Sequence, residues 1–346
     1  MRNLITIMMI LSLLIIPVSA TELTAPAVPE SAEKYMPTDP QSLGQGILEV
    51  LKEVTMRIRP DLKEASGVCL GILAAAIVLC ITNHLQFFSK KTAVLTGALL
   101  VGILILENMN SMIRLGSQTV SEISEYGKLL LPVMTTALAA QGGVSVSAAL
   151  YAGTAVFDAI LSAIISKLLV PMIYLFLALC ISCAALEDDM LKKVRDLVRS
   201  ASVWMLKTIL YVFTGYISLT GVISGSTDAM ALKAAKMTIS GVVPVVGGIL
   251  SDASEAVLVG AGTVKNAAGL YGMFAIIAIW VGPFVKIGVH YLMLKGTGIL
   301  CAVFSDKQFT ELVQDISSAM GLLLAMTGTV CLMLMISMVC FMKGMG

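Results

Sequence analysis

Residues Ala319 to Met342 read AMGLLLAMTGTVCLMLMISMVCFM, 24 positions with no charged side chain. About 20 predominantly apolar residues cross the ~30 Å hydrocarbon core of a bilayer as a helix, so this stretch is a membrane span. A helix suits lipid because it satisfies its own backbone N–H and C=O groups where no water can. Four further stretches meet or approach the same standard: Gly67 to His84, Thr92 to Ile113, Val203 to Ile223 and Gly269 to His290. Between Leu129 and Leu186 lies a long apolar tract interrupted mainly by Gln141, Gly142, Gly143, Asp158, Lys167 and Pro171. It holds either one span plus a broken segment or three short spans. The expected fold class is all-α: a polytopic membrane protein with about six to eight transmembrane helices. Pro- and Gly-broken segments, open to a re-entrant reading, and amphipathic elbow helices join them.

Composition agrees. Hydrophobic residues make up 58% of the 346 and charged residues 13%, against roughly 45–50% and ~25% in a soluble domain. With 23 Lys plus Arg against 22 Asp plus Glu, no net basic field attracts nucleic acid. The seven cysteines are an odd set lying in or beside apolar runs, which reads as small apolar packing and not as a secreted disulfide framework.

Working back to the N-terminus, Arg2, the apolar stretch Leu4 to Ile16, Pro17 and Val18-Ser19-Ala20 have the layout of an export signal, residues 1–20. Residues 21–64 form an extracytoplasmic segment. Its first part, to about Pro40, lacks apolar periodicity, while Ile47, Val50, Leu51, Val54 and Ile58 recur at helical spacing before Pro60, which ends or bends that helix. The polytopic domain then spans 65–346. Export of residues 21–64 puts Lys90 and Lys91 in the cytoplasm, as positive residues prefer. The clusters Lys192, Lys193, Arg195, Arg199 and Lys286, Lys295, Lys307 follow on the same side. That requires an odd number of crossings within 129–186 and an even number, zero included, within 241–268.

An internal repeat is suggested by Leu131-Pro132-Val133 recurring as Val243-Pro244-Val245 and Val170-Pro171 as Gly282-Pro283, with an offset of 112 residues for both prolines. Arg195-Asp196 aligns with Gln314-Asp315 at an offset of 119. The units are about 91–201 and 202–342, parallel if both charged helices are cytoplasmic.

Few residues carry chemistry. His84 and His290 sit near span ends without HExxH or clustered carboxylates, so no metal site is expected. Cys180-Ile181-Ser182-Cys183 satisfies C-x-x-C inside a span without a βαβ context, and no Walker A or G-x-S-x-G pattern occurs. No cofactor and no catalysis are expected. Gly241 to Ala268 is more informative, because Pro244, Gly247, Gly248, Gly260 and Gly262 interrupt it while Asp252, Glu255 and Lys265 sit near membrane depth. Broken backbone and buried charge survive in lipid only inside protein or along a wet cavity. Two readings stand: a re-entrant segment lining a pore or subunit interface, or an amphipathic helix at the outer surface. Pro132, Gly142, Gly143 and Asp158 are the counterparts in the first half. The charged helix Glu187 to Ala201, and a second from Ser305 through Ile316, read either as elbows on headgroups or as docking handles. Lys192, Lys193, Arg195 and Arg199 are the candidate docking residues.

The run Ala231-Leu232-Lys233-Ala234-Ala235-Lys236-Met237-Thr238-Ile239-Ser240, leading into Val243-Pro244-Val245-Val246-Gly247 and Ser251-Asp252-Ala253, resembles the stage III sporulation protein AE family. Leu130-Leu131-Pro132-Val133 with Gly142-Gly143, and Leu197 to Leu206, resemble it too. The resemblance implies a structural subunit of the channel-like, secretion-like complex between mother cell and forespore. It would sit in the mother-cell-derived membrane around the forespore. The partners implied are other stage III sporulation proteins of the same operon, including a secretion-type ATPase, with a homo-oligomer left open. The rival reading is a secondary transporter or permease with a midplane site at the broken segments.

Overall fold

The structure, a computed structural model, describes residues 26–38, 43–84, 90–140, 144–186, 188–219 and 267–344. The export signal and the 241–266 part of the broken segment lie outside the described residues. Every described element is helical: α1 (Glu30–Glu33), α2 (Leu43–His84), α3 (Lys90–Ala140), α4 (Val144–Ile164), a π-helical turn (Ile165–Leu169), α5 (Val170–Leu186), α6 (Asp189–Leu219), α7 (Ala267–Phe304) and α8 (Lys307–Gly344).

Five of the described helical runs are long and apolar enough to cross a membrane: Gly44–Thr82, Leu95–Ala139, Ser147–Leu186, Gly269–Val303 and Lys307–Lys343. The span expected from Val203 is helical as far as Leu219, and its last residues are not described. Within 129–186 the described residues form one helical run long and apolar enough to cross, Ser147–Leu186, which fits the first of the two readings. Leu129 to Ala140 closes α3, and α4, the π turn and α5 make one run back. The π turn has a local cause. Pro171 has no N–H to give the carbonyl of Lys167, so the ladder slips one residue just ahead of it.

Besides Pro171, three of the described prolines lie inside helices, Pro60 in α2, Pro132 in α3 and Pro283 in α7. Pro60 therefore does not end its helix, and α2 runs unbroken across the 64/65 boundary. One lost backbone hydrogen bond is outweighed by the packing of the turns on either side. The two charged elbows are likewise not separate surface helices. Each is the first part of a helix that continues into apolar sequence, α6 and α8, because no Gly or Pro intervenes at Ala201–Val203 or Ser318–Met320.

α8 is the axis of the bundle. It packs on α3, α4, α5, α6 and α7, and its most apolar 18-residue window is wholly buried. Close approach to it is made by small residues. Gly127 of α3 leaves only 2.8 Å between a would-be Cβ and Leu334, and Gly272 of α7 faces Leu130 and Met338 in the same way. α7 completes the core, joining α8 to α2 and to the short α1, whose neighbour Tyr35 fits against Gly282.

Cross-helix contacts fix the register. Leu79 and Phe309 meet at Gly97, Ile181 at Gly102, Met326 at Gly116, and Met342 and Met134 at Gly269. With α4 and α5 taken as one run, successive long helices are therefore antiparallel. His84, Lys90, Leu186, Asp189, Phe304 and Lys307 share one end of the bundle, and Ala140, Leu219 and Ala267 the other. Lys192, Lys193, Arg195 and Arg199 thus stand at the same end as Lys307. Lys286 does not join them: it lies midway along α7, its Nζ 2.7 Å from Glu64 Oε2 of α2. At 42 and 51 residues, α2 and α3 are about 63 and 77 Å long at 1.5 Å per residue, roughly twice a hydrocarbon core. Toward the Lys90 end, Gly67 to Ile81 of α2 and Leu95 to Leu106 of α3 carry no charged residue.

Candidate functional site

The two charged helix starts, separated by more than a hundred residues, lie side by side. The Arg195 guanidinium donates to the carboxylate of Asp315 and, at 2.9 Å, to that of its neighbour Asp196. Arg195 and Asp315 keep only 13% and 16% of their side-chain exposure, so the pair is largely withdrawn from solvent. The segments aligned by the suggested repeat are those brought together here. A recess beside the pair is lined by Cys180, Cys183, Lys192, Arg195, Glu311 and Asp315. Its volume of about 10 Å³ accommodates one water at most. The arrangement ties α6 to α8 and leaves a polar notch at the end of the bundle.

Of the four docking candidates, Arg195 is therefore engaged within the chain. Lys193 is exposed, while Lys192 and Arg199 are half-buried, with Lys192 Nζ 3.4 Å from Asp189. The outward-facing basic group is Lys193 with the ends of Lys192 and Arg199.

Among the pore candidates, Asp158 is buried in α4 and points into the bundle. Its Oδ2 accepts a hydrogen bond from Ser124 Oγ of α3 at 2.5 Å, and its Oδ1 has no partner among the described residues. One turn away, Thr154 and Ser337 of α8 share a hydrogen bond of 2.8 Å. Together these form a short polar seam between α3, α4 and α8. A carboxylate inside an apolar bundle is retained at a cost that only such partners offset. Pro132 lies exposed on α3. Gly142, Gly143, Pro244, Gly247, Asp252, Glu255 and Lys265 lie outside the described residues.

His290 is buried, its Nδ1 2.9 Å from the carbonyl of Lys286 and its Nε2 3.8 Å from Glu64 Oε1. The side chain of His84 lies outside the described residues. All seven cysteines are free, and all but Cys80 are buried. Among the described residues, no three His, Cys, Asp or Glu side chains converge as a metal set. Sequence reasoning missed Glu64, Ser124, Thr154, Asp315 and Ser337. Only Asp315 carried a signal, as the repeat partner of Asp196.

The sequence profile of the stage III sporulation protein AE family matches residues 40–344. Stage III sporulation protein AE of Bacillus subtilis (strain 168) is 26% identical to the chain over 230 residues. That alignment covers 64% of this chain and 57% of the relative, so the chain spans little more than half the relative's length. No solved structure matches. A match over nearly all of the helical bundle settles descent: the chain belongs to the stage III sporulation protein AE family.

Proposed function

We propose that this chain is a multi-pass, non-catalytic subunit of the channel-like complex between mother cell and forespore, with a pore or scaffold role. The family match over residues 40–344 carries the reading, since membership implies a role in sporulation. The build of the chain supports it. A long helical bundle organised around one buried apolar helix is a scaffold. The complex sits in the mother-cell-derived membrane around the forespore, and its other members are stage III proteins of the same operon, a secretion-type ATPase among them. Residues 21–64 lie outside the cytoplasm, and the end bearing Lys192 and Lys193 lies inside, available to that ATPase or its adaptors. The Gly241-to-Ala268 stretch is the part assigned to a pore or subunit contact.

Purification of the tagged chain from sporulating cells tests this reading. The expected result is recovery of the operon's other membrane proteins and the ATPase. Recovery of the chain alone, together with substrate-dependent flux in liposomes, would instead establish the transporter, a reading favoured by the buried Asp158 in its polar seam.

A further inference from the structure

One side of α8 is buried although no described helix lies over it. Toward its C-terminal end α8 meets α3 at Leu334, α4 at Ser337 and α7 at Met338 and Met342. At about 100° per residue, these four side chains point into a single sector of roughly 140°. Leu332 and Ile336, with Thr329 and Ala325 before them, fall at i, i+4, i+7 and i+11 spacing on the opposite side. That side is bounded by α6 and α7. Among the described residues α6 packs on α4, α5 and α8, and α7 on α1, α2, α3 and α8, with no extended packing of one on the other. The four residues between them are nonetheless at most 5% exposed. On α7, the consecutive residues Met273 to Ile276 are at most 1% exposed, so that helix too has no open side there.

Burial within one chain requires a cover from that chain. Leu219 ends the described part of α6 and Ala267 begins α7, both at the same end of the bundle, on the two edges of this wedge. Residues 220–266, 47 in number, join them. The buried side from Ala325 to Ile336 is about 17 Å long at 1.5 Å per residue, so a segment of that length reaches its foot and returns. Residues before Pro26 start instead beside Tyr126 of α3. Chemistry narrows the choice further. The side presents alkyl groups and one hydroxyl, that of Thr329, which already donates to the carbonyl of Ala325 at 2.7 Å, so its cover needs no charge. Met237 to Ser251 is the longest uncharged run of the segment. It contains Pro244, Gly247 and Gly248, and a backbone so interrupted survives in a membrane only against protein or a wet cavity.

We propose that Met237 to Ser251 seats in the wedge between α6 and α7, against Ala325, Thr329, Leu332 and Ile336 of α8. Of the two readings of the broken stretch this is the re-entrant one, with α8 as its floor. Asp252, Glu255 and Lys265 then belong to the returning limb, outside the apolar contact. The inference needs the bundle alone, and the channel reading stands or falls separately, by co-purification.

Paired cysteines on a Cys-free background, oxidised in native membranes of cells expressing the full chain and mapped by mass spectrometry of the non-reduced digest, test it. Ile336→Cys is combined with one cysteine at each position from 237 to 251 in turn, and Leu332→Cys repeats the scan from the same side. Thr154→Cys with Ser337→Cys, replacing hydroxyls 2.8 Å apart, is the reference for a folded bundle. Leu129→Cys, on the exposed side of α3, is the outward-facing control. Disulfides within one chain are expected at a subset of positions from 237 to 251, at yields near the reference, and none is expected at 129. Equal links at every position and at 129 would be collision and would overturn the seat. So would links only between two chains, or no link in either scan beside an oxidised reference.

Discussion

Replacing Arg195 should cost the bundle more than replacing Asp315, although the two residues share one bond. Breaking a buried ion pair by removing one partner costs about 3–5 kcal/mol, most of it the desolvation of the charge left behind. The charges left behind are not equivalent. Asp315→Asn leaves Arg195 with Asp196 at 2.9 Å, and the new amide oxygen can still accept, so a loss of about 1–2 kcal/mol is expected, the range of one weakened hydrogen bond. Arg195→Met leaves Asp315 largely buried with its principal cation gone, and a loss of about 3 kcal/mol follows, the low end of the range because both groups keep some exposure. Arg195→Met with Asp315→Leu removes both charges and should recover most of that loss. The assay is the midpoint of denaturant-induced helix loss for the purified protein in mild detergent. At 1.4 kcal/mol per tenfold change in the folding constant, the two single variants should differ by roughly five- to twenty-five-fold. Equal losses, or a double variant as weak as Arg195→Met, would show that the pair does not join α6 to α8 in the way described.

Ser124→Ala strips Asp158 of its donor and should destabilise by about 1–3 kcal/mol in the same assay, with Asp158→Asn milder because the amide oxygen still accepts. Gly127→Leu drives a side chain into Leu334 and should cost about 1–3 kcal/mol, whereas Gly67→Leu enters open space and should be neutral. Leu48→Cys should react with an impermeant thiol reagent in intact cells and Ser200→Cys only after permeabilisation; the opposite pattern would invert the topology. Reversing Lys192, Lys193 and Arg199 to Glu should leave the chain in the membrane yet lose the cytoplasmic partner from the purified complex. Retention of the partner with unchanged labelling would reduce this basic group to a headgroup contact.

The spans were legible because lipid imposes one demand, a long apolar helix, and Gly67 to His84, Thr92 to Ile113 and Ala319 to Met342 answer it by composition alone. The turn after Leu186 was legible too, since Glu187, Asp188 and Asp189 precede the basic residues of α6. Contacts across the bundle were not. Lys192 to Arg199 has the same composition whether Arg195 faces water or Asp315, and nothing near Glu64 or Lys286 announces that the two meet. Pro60 was misleading for a different reason. A proline removes one hydrogen bond, a fixed local cost, while the packing that carries α2 through it is supplied by α3 and α7. Asp158 was found as an intramembrane charge, but its inward aim depends on Ser124, 34 residues earlier.

That α8 forms the axis sets the order of events during synthesis. Every other described helix leaves the ribosome before it, and each must enter the bilayer before the element it will surround exists. Until Lys307–Gly344 arrives, Gly127 and Thr154 have no counterpart. The helices made earlier can pair with one another, α7 with α2 and α3 and α5 with α6, but closure of the whole bundle waits for α8. A chain stopped short of α8 would be a ring of helices without a hub, displaying buried polar groups to lipid and to proteolytic surveillance.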